Sequence, residues 1–76
     1  MMTLSARSLA SKLGEWRDDG AAYRGLADRI RLQILDGRIA VGTRLPAERE
    51  LAAALDVSRT TVAAAYATLR DRGAIE

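Results

Sequence analysis

The sequence predicts a single, mostly α domain built around a helix-turn-helix. Three observations point there. The 76 residues contain four stretches whose apolar side chains recur at helical spacing, with Gly or Asp breaks between them. The third and fourth stretches are separated by only a few residues. The fourth opens on Ser58-Arg59-Thr60-Thr61, which puts a capping hydroxyl, a guanidinium and two further hydroxyls at one helix N-terminus.

The first helix is expected over residues 3–16, where Ala6, Leu9, Leu13 and Trp16 share a face. Gly14 weakens its last turn, and Asp18-Asp19-Gly20 reads as a linker. The second is expected over residues 21–36, with Tyr23, Leu26, Ala27, Ile30 and Ile34 inward and Gly37 as a left-handed stop. Leu32 and Leu35 fall on another face of this helix. The matching stripe of Leu9, Leu13 and Trp16 is expected to cover them, from the same chain or from a dimer partner; simple exposure is the bland alternative. Ile39-Ala40-Val41 has the composition of a very short strand. Pro46 suits the first turn of a third helix over residues 47–55, with Leu51, Leu55 and Ala54 inward and Arg49 nearly opposite. The fourth helix is expected over residues 59–72, capped by Ser58, stopped at Gly73, and buried along Val62, Ala65, Tyr66 and Leu69.

Composition narrows the chemistry. A chain of this size is one small domain with a thin core. It has no Cys and no His, so disulfides, thiolate metal sites and histidine acid–base catalysis are excluded. No pair of acids stands in a recognisable cleft, and an enzyme is not expected. No apolar run has the length of a signal peptide or a membrane span, so the expected location is cytoplasmic. The net charge of +2 does not announce nucleic acid by itself. Of the twelve basic residues all but Lys12 are Arg, the residue that binds phosphate and guanine in bidentate fashion. A GC-rich genome also produces that bias, so position rather than number carries the functional reading.

At about 100° per residue, burying Val62, Tyr66 and Leu69 turns Thr60, Ala64, Ala67 and Asp71 outward, flanked by Ala63 and Thr68. A helix entering the major groove needs small side chains of this kind, although cheap helix propensity also explains alanines. Ser58 is accounted for by N-capping alone. Thr60 and Thr61 are β-branched residues in succession at a first turn, which an external partner explains better than helix propensity. Arg59 is placed to reach guanine or a phosphate. Arg49, between Glu48 and Glu50, is a candidate phosphate clamp whose guanidinium the acids orient, or else a screened surface cluster. Arg44 is a further candidate phosphate contact. The competing reading is a helical protein-interaction or dimerisation module, which would present an apolar outer patch.

The run Leu45-Pro46-Ala47-Glu48-Arg49-Glu50-Leu51-Ala52, followed by Val57-Ser58-Arg59-Thr60-Thr61-Val62, resembles the GntR family of bacterial transcription regulators. Tyr23, Ile30, Ile34, Gly37, Gly42, Leu55, Ala65, Leu69 and Gly73 extend the likeness over residues 21–76. Ala65-Tyr66 and the Ala22-Tyr23-Arg24 start are similar to the MocR-type subgroup. The resemblance implies a winged helix-turn-helix: a three-helix core plus the N-terminal helix, with residues 1–20 as helix and linker, residues 21–76 as the DNA-binding domain, and the wing hairpin truncated at Gly73-Ala74-Ile75-Glu76. It implies binding of a double-stranded DNA operator by a homodimer, with Arg49 on the backbone and Arg59, Thr60 and Thr61 at the start of the recognition helix. Some members carry Arg where this chain has Ala63, which weakens mid-helix base readout. Asp56 replaces the usual turn Gly and is expected to take the left-handed conformation with some strain. Without a complete wing, binding is expected to be weaker than in a longer protein. MocR-type proteins add an aminotransferase-like domain that binds pyridoxal phosphate. No cofactor is expected in this segment.

Overall fold

A computed structural model describes residues 3–17 and 20–75. Among them are four helices: α1 Ala6–Leu13, α2 Ala22–Leu35, α3 Glu48–Leu55 and α4 Arg59–Asp71. Asp18 and Asp19 of the expected linker, and Glu76, lie outside the described residues.

Helix α1 begins where Ser5 caps it, the hydroxyl accepting from the Ser8 amide at 3.1 Å. It stops at Leu13, three residues short of the expected Trp16, because Gly14 turns to φ 56°. Its end is closed from outside. Arg29 of α2 donates through Nε to the Leu13 carbonyl at 2.8 Å and through a terminal nitrogen to the Glu15 carbonyl at 2.9 Å. The Leu13 carbonyl is one that a helix end leaves without an internal partner, and the Glu15 carbonyl lies just past the C-cap Gly14.

Helices α2, α3 and α4 each end in the same way. Past α2, Gly37 at φ 77° donates to Ile34 O and Arg38 donates to Gln33 O. Past α4, Gly73 and Ala74 donate to Arg70 O and Leu69 O. Past α3, Asp56 itself takes φ 57° and ψ 49°, and Asp56 and Val57 donate to Ala53 O and Ala52 O. All three are Schellman closures; the expected stops at Gly37 and Gly73 and the expected left-handed conformation of Asp56 are borne out.

Helix α4 packs chiefly on α2, while α3 lies between α1 and α4. The core is Leu9, Leu13, Trp16, Leu26, Ala27, Ile30, Ile39, Leu51, Ala52, Val62, Ala65, Tyr66 and Leu69. Helix α1 runs alongside α3 in the same direction. At the start, the Leu4 amide donates to the Arg44 carbonyl at 2.9 Å, beside a parallel bridge between Thr3 and Arg44. At the finish, Arg17 lies over the Trp16 ring and reaches toward the Asp56 carbonyl, at 3.5 Å.

Four expectations fail for identifiable reasons. Leu9 and Leu13 are wholly buried within their own chain, so their stripe covers neither Leu32 nor Leu35, which stay 49% and 66% exposed. Ile39-Ala40-Val41 is not a strand. Thr43 donates back to Ala40 O and Gly42 sits at φ 85°, the positive-φ position of a type II turn; Ile39 is buried while Val41 is exposed. In α3 it is Ala52 that is buried, and Ala54 is exposed. Pro46 precedes α3 instead of joining its first turn, with Ala47 as N-cap.

Candidate nucleic-acid interface

The α3–α4 junction is compact because each half is closed locally. The left-handed Asp56 ends α3, and only Val57 and Ser58 separate it from α4. The Ser58 hydroxyl accepts from the Thr61 amide at 3.2 Å and shares a 2.9 Å hydrogen bond with the Thr61 hydroxyl. Ser58 is therefore the N-cap its sequence position predicted. Thr61 has an internal partner for its hydroxyl, which supplies a local reason for a β-branched residue there.

The orientation of α4 is held by one buried contact further along. The Tyr66 phenol donates to the Pro46 carbonyl at 2.8 Å, tying the middle of α4 to the segment that leads into α3. Burial, reinforced by the nearby charge of Glu48, pushes the Tyr66 phenol well above its ordinary range. It stays protonated and remains a donor throughout the physiological range. A Tyr among apolar core residues showed this role only once its partner was known.

The two amino ends differ in charge. The first turn of α3 contains Glu48 and Glu50, which answer the positive end of its helix dipole. The first turn of α4 contains no acid and begins with Arg59. That end is electropositive from both the dipole and the guanidinium.

Of the residues singled out from sequence, Arg44, Arg49, Arg59 and Thr60 are exposed, and Thr61 and Ala64 are half-buried. Arg49 and Arg59 enter no hydrogen bond or ion pair among the described residues. Arg59 and Thr60 line one shallow hollow together with Glu48 and Ala63. The amino ends of α3 and α4 thus adjoin; Arg49, next to Glu48 in sequence and exposed, is not among the residues that line the hollow. Arg44 lies elsewhere, along a larger groove of about 680 Å³ between the residues leading into α3 and the carboxyl end of α4. Glu48 borders both. Sequence reasoning treated Glu48 only as a neighbour of Arg49, and Ala63 as a flank of the outward face and a missing arginine. Glu48 opens α3 and Ala63 starts the second turn of α4, and that they line one hollow depends on how the two helices cross.

Among the described residues there is no group of acids suited to a metal ion, and no helix is long and apolar enough to cross a membrane.

Known proteins agree with this geometry. The family model for bacterial regulatory proteins of the gntR family matches residues 22–76. The HTH-type transcriptional regulator Rv1152 of Mycobacterium tuberculosis is 40% identical over 70 residues, covering 86% of this chain and 58% of that protein. The probable rhizopine catabolism regulatory protein MocR of Rhizobium meliloti is 40% identical over 58 residues, 76% of this chain and 12% of its own length. The vitamin B6 salvage pathway transcriptional repressor PtsJ of Salmonella typhimurium is 44% identical over 55 residues, 72% of this chain and 13% of that protein. The chain therefore spans a little over half of the first relative and a small part of the others. No solved structure matches it. On the family match, this chain belongs to the GntR family of bacterial regulatory proteins and carries that family's helix-turn-helix DNA-binding domain.

Proposed function

We propose that residues 21–76 bind double-stranded operator DNA sequence-specifically, as the reading head of a transcription regulator, with residues 1–20 as an accessory helix and linker. The observation that supports this best is the adjoining amino ends of α3 and α4, where Arg49, Arg59 and Thr60 are exposed and both arginines lack an internal partner. Arg49, Thr60 and Thr61 hold phosphates, with the amides of the α4 amino end behind them. Arg59 reads a base edge or a phosphate. Ala64 is small enough to let α4 approach the groove floor. Arg44 adds a phosphate contact at the flank.

Homodimers on two-fold operators are the expected working form, because two half-sites one helical turn apart raise effective concentration. Likeness to MocR, together with Ala65-Tyr66, favours a MocR-type protein whose longer chain adds a pyridoxal-phosphate domain. The described residues do not fit that cofactor: the single lysine, Lys12, is exposed on α1. A cytoplasmic location and the absence of enzymatic activity in this segment follow from the same reading.

A protein-interaction or dimerisation module is the second reading, and exposed Leu32 and Leu35 favour it. They belong to α2, so a protein contact there is compatible with DNA at α3 and α4. The deciding experiment is selection of duplexes from a randomised pool by the full-length protein, followed by competition with scrambled sequence. A recovered site should bind at least about a thousandfold more tightly than scrambled duplex. Equal affinity for both would overturn sequence-specific binding.

A further inference from the structure

Helix α1 precedes the matched family domain, which covers residues 22–76. It is built into the core all the same: Leu9 and Leu13 are fully buried, and Trp16 nearly so. Burial explains why α1 stays attached. It does not explain why α1 is fastened at two further points, one on each side of α3. Before α3, the Leu4 amide donates to the Arg44 carbonyl at 2.9 Å, beside the Thr3–Arg44 bridge. After α3, the Arg17 guanidinium lies over the Trp16 ring, 5.0 Å from its centre, and donates to the Asp56 carbonyl at 3.5 Å. Asp56 is the one non-glycine at positive φ among the described residues, a conformation that persists where its surroundings hold it. Arg17 is exposed, so its side chain adds little to the core. What it touches is the turn between α3 and α4.

Resting on the DNA-binding reading above, we infer that Arg17 and the Leu4 amide are positioning groups for DNA binding. Helix α1 is a strap that holds the approach to α3 and the turn beyond it, so that α3 and α4 meet the duplex at a fixed angle. Tyr66 secures the same approach from the α4 side, at Pro46 O. The strap itself touches no DNA. It acts on the share of molecules whose junction already has the binding geometry, and apparent affinity scales with that share. The number of phosphate contacts stays the same, so the salt dependence stays the same. A residue that only stabilises the fold has a different signature. At room temperature nearly every molecule is folded with or without it, and affinity does not change.

The test uses the full-length protein and a recovered operator, with affinity, salt slope, urea unfolding and amide exchange measured for each variant. Arg17→Ala removes the hold on Asp56. Leu4→Pro removes the amide hydrogen and keeps an apolar side chain. Each should weaken operator binding by about threefold, the worth of one hydrogen bond, with the slope of log K against log salt unchanged. Arg17→Ala should also speed exchange at the Asp56 and Val57 amides, which close α3. Arg17→Lys keeps a donor and a charge and should bind as wild type does. Arg29→Ala, whose bonds lie at the exit of α1 and not on α3, should lose stability and keep its affinity. Operator affinity at the wild-type level in either Arg17→Ala or Leu4→Pro overturns the strap and leaves DNA binding standing. A salt slope lowered by about 1 in Arg17→Ala makes Arg17 a phosphate contact and overturns positioning. So does an affinity loss in Arg29→Ala equal to that in Arg17→Ala, because any weakening of α1 then suffices. If wild type binds no duplex, the DNA-binding reading falls and this inference falls with it.

Discussion

Arg29 and Arg59 are the same side chain in opposite circumstances. Arg29 is half-buried against the end of α1, and its guanidinium is divided between the Leu13 and Glu15 carbonyls. Arg59 stands exposed at the start of α4 with no partner in the described fold. A helix carboxyl end attracts a cation, and a cation there needs nothing further. A cation at a helix amino end adds to a positive end, and only an outside anion relieves both. The contrast separates arginines that build this domain from arginines that await a ligand, within a composition that makes arginine commonplace.

Leu9→Ala should have the largest effect on the construction side. Leu9 is fully buried between α1 and the rest of the core, and truncation there costs about 2–5 kcal/mol. Urea unfolding that showed less than about 1 kcal/mol of loss would mean that α1 is a loosely held arm. Arg29→Ala should follow, with about 1–3 kcal/mol lost by leaving two carbonyls at the end of α1 without their donor. The same denaturation series measures it, and affinity of the folded protein for DNA should be unchanged. Equal losses of stability and of DNA affinity in this variant would erase the distinction between the two arginines.

Tyr66→Phe removes the hydrogen bond to Pro46 O, for about 1 kcal/mol. Its pH signature is more specific than its size. The folded-state pKa of Tyr66 lies above the ordinary value of 10.0, so the fold favours the neutral phenol. The associated stability is fully present below pH 10 and is lost as pH rises toward the folded value. Wild type should therefore weaken above about pH 10, and Tyr66→Phe should weaken less over the same interval. The smallest effect belongs to Asp28→Ala. The 3.4 Å pair between Arg72 and Asp28 is exposed on both sides, and its loss should change unfolding free energy by no more than about 0.5 kcal/mol.

The difference between local and distant causes also governs what could be read in advance. Ser58, Gly37, Asp56 and Gly73 act through hydrogen bonds within four or five residues of themselves, so their roles were visible in the chain. The stripe of Val62, Ala65, Tyr66 and Leu69 was visible because helical phase determines it. The partner of that stripe was not. Leu32 and Leu35 matched α1 in pattern, yet α1 lies along α3 because backbone contacts at Arg44 and Asp56 hold it there. Ile39-Ala40-Val41 has the composition of a strand, whereas the positive φ of Gly42 makes the segment a turn. Arg49, Arg59 and Thr60 were picked out correctly as surface residues. Glu48 was not seen as part of their site, because meeting Arg59 across a hollow depends on how two helices cross.

The central claim concerns the junction of α3 and α4, and the salt dependence of DNA binding tests it most directly. On a recovered operator, the full-length protein should lose affinity steeply as salt rises, because each phosphate contact releases counterions. Arg49→Ala should lower the slope of log K against log salt by about 1, with thermal stability unchanged within about 0.5 kcal/mol. Arg59→Ala should lower either that slope or the discrimination between operator and scrambled duplex. Affinity, slope and discrimination that all matched wild type in both variants would contradict the account.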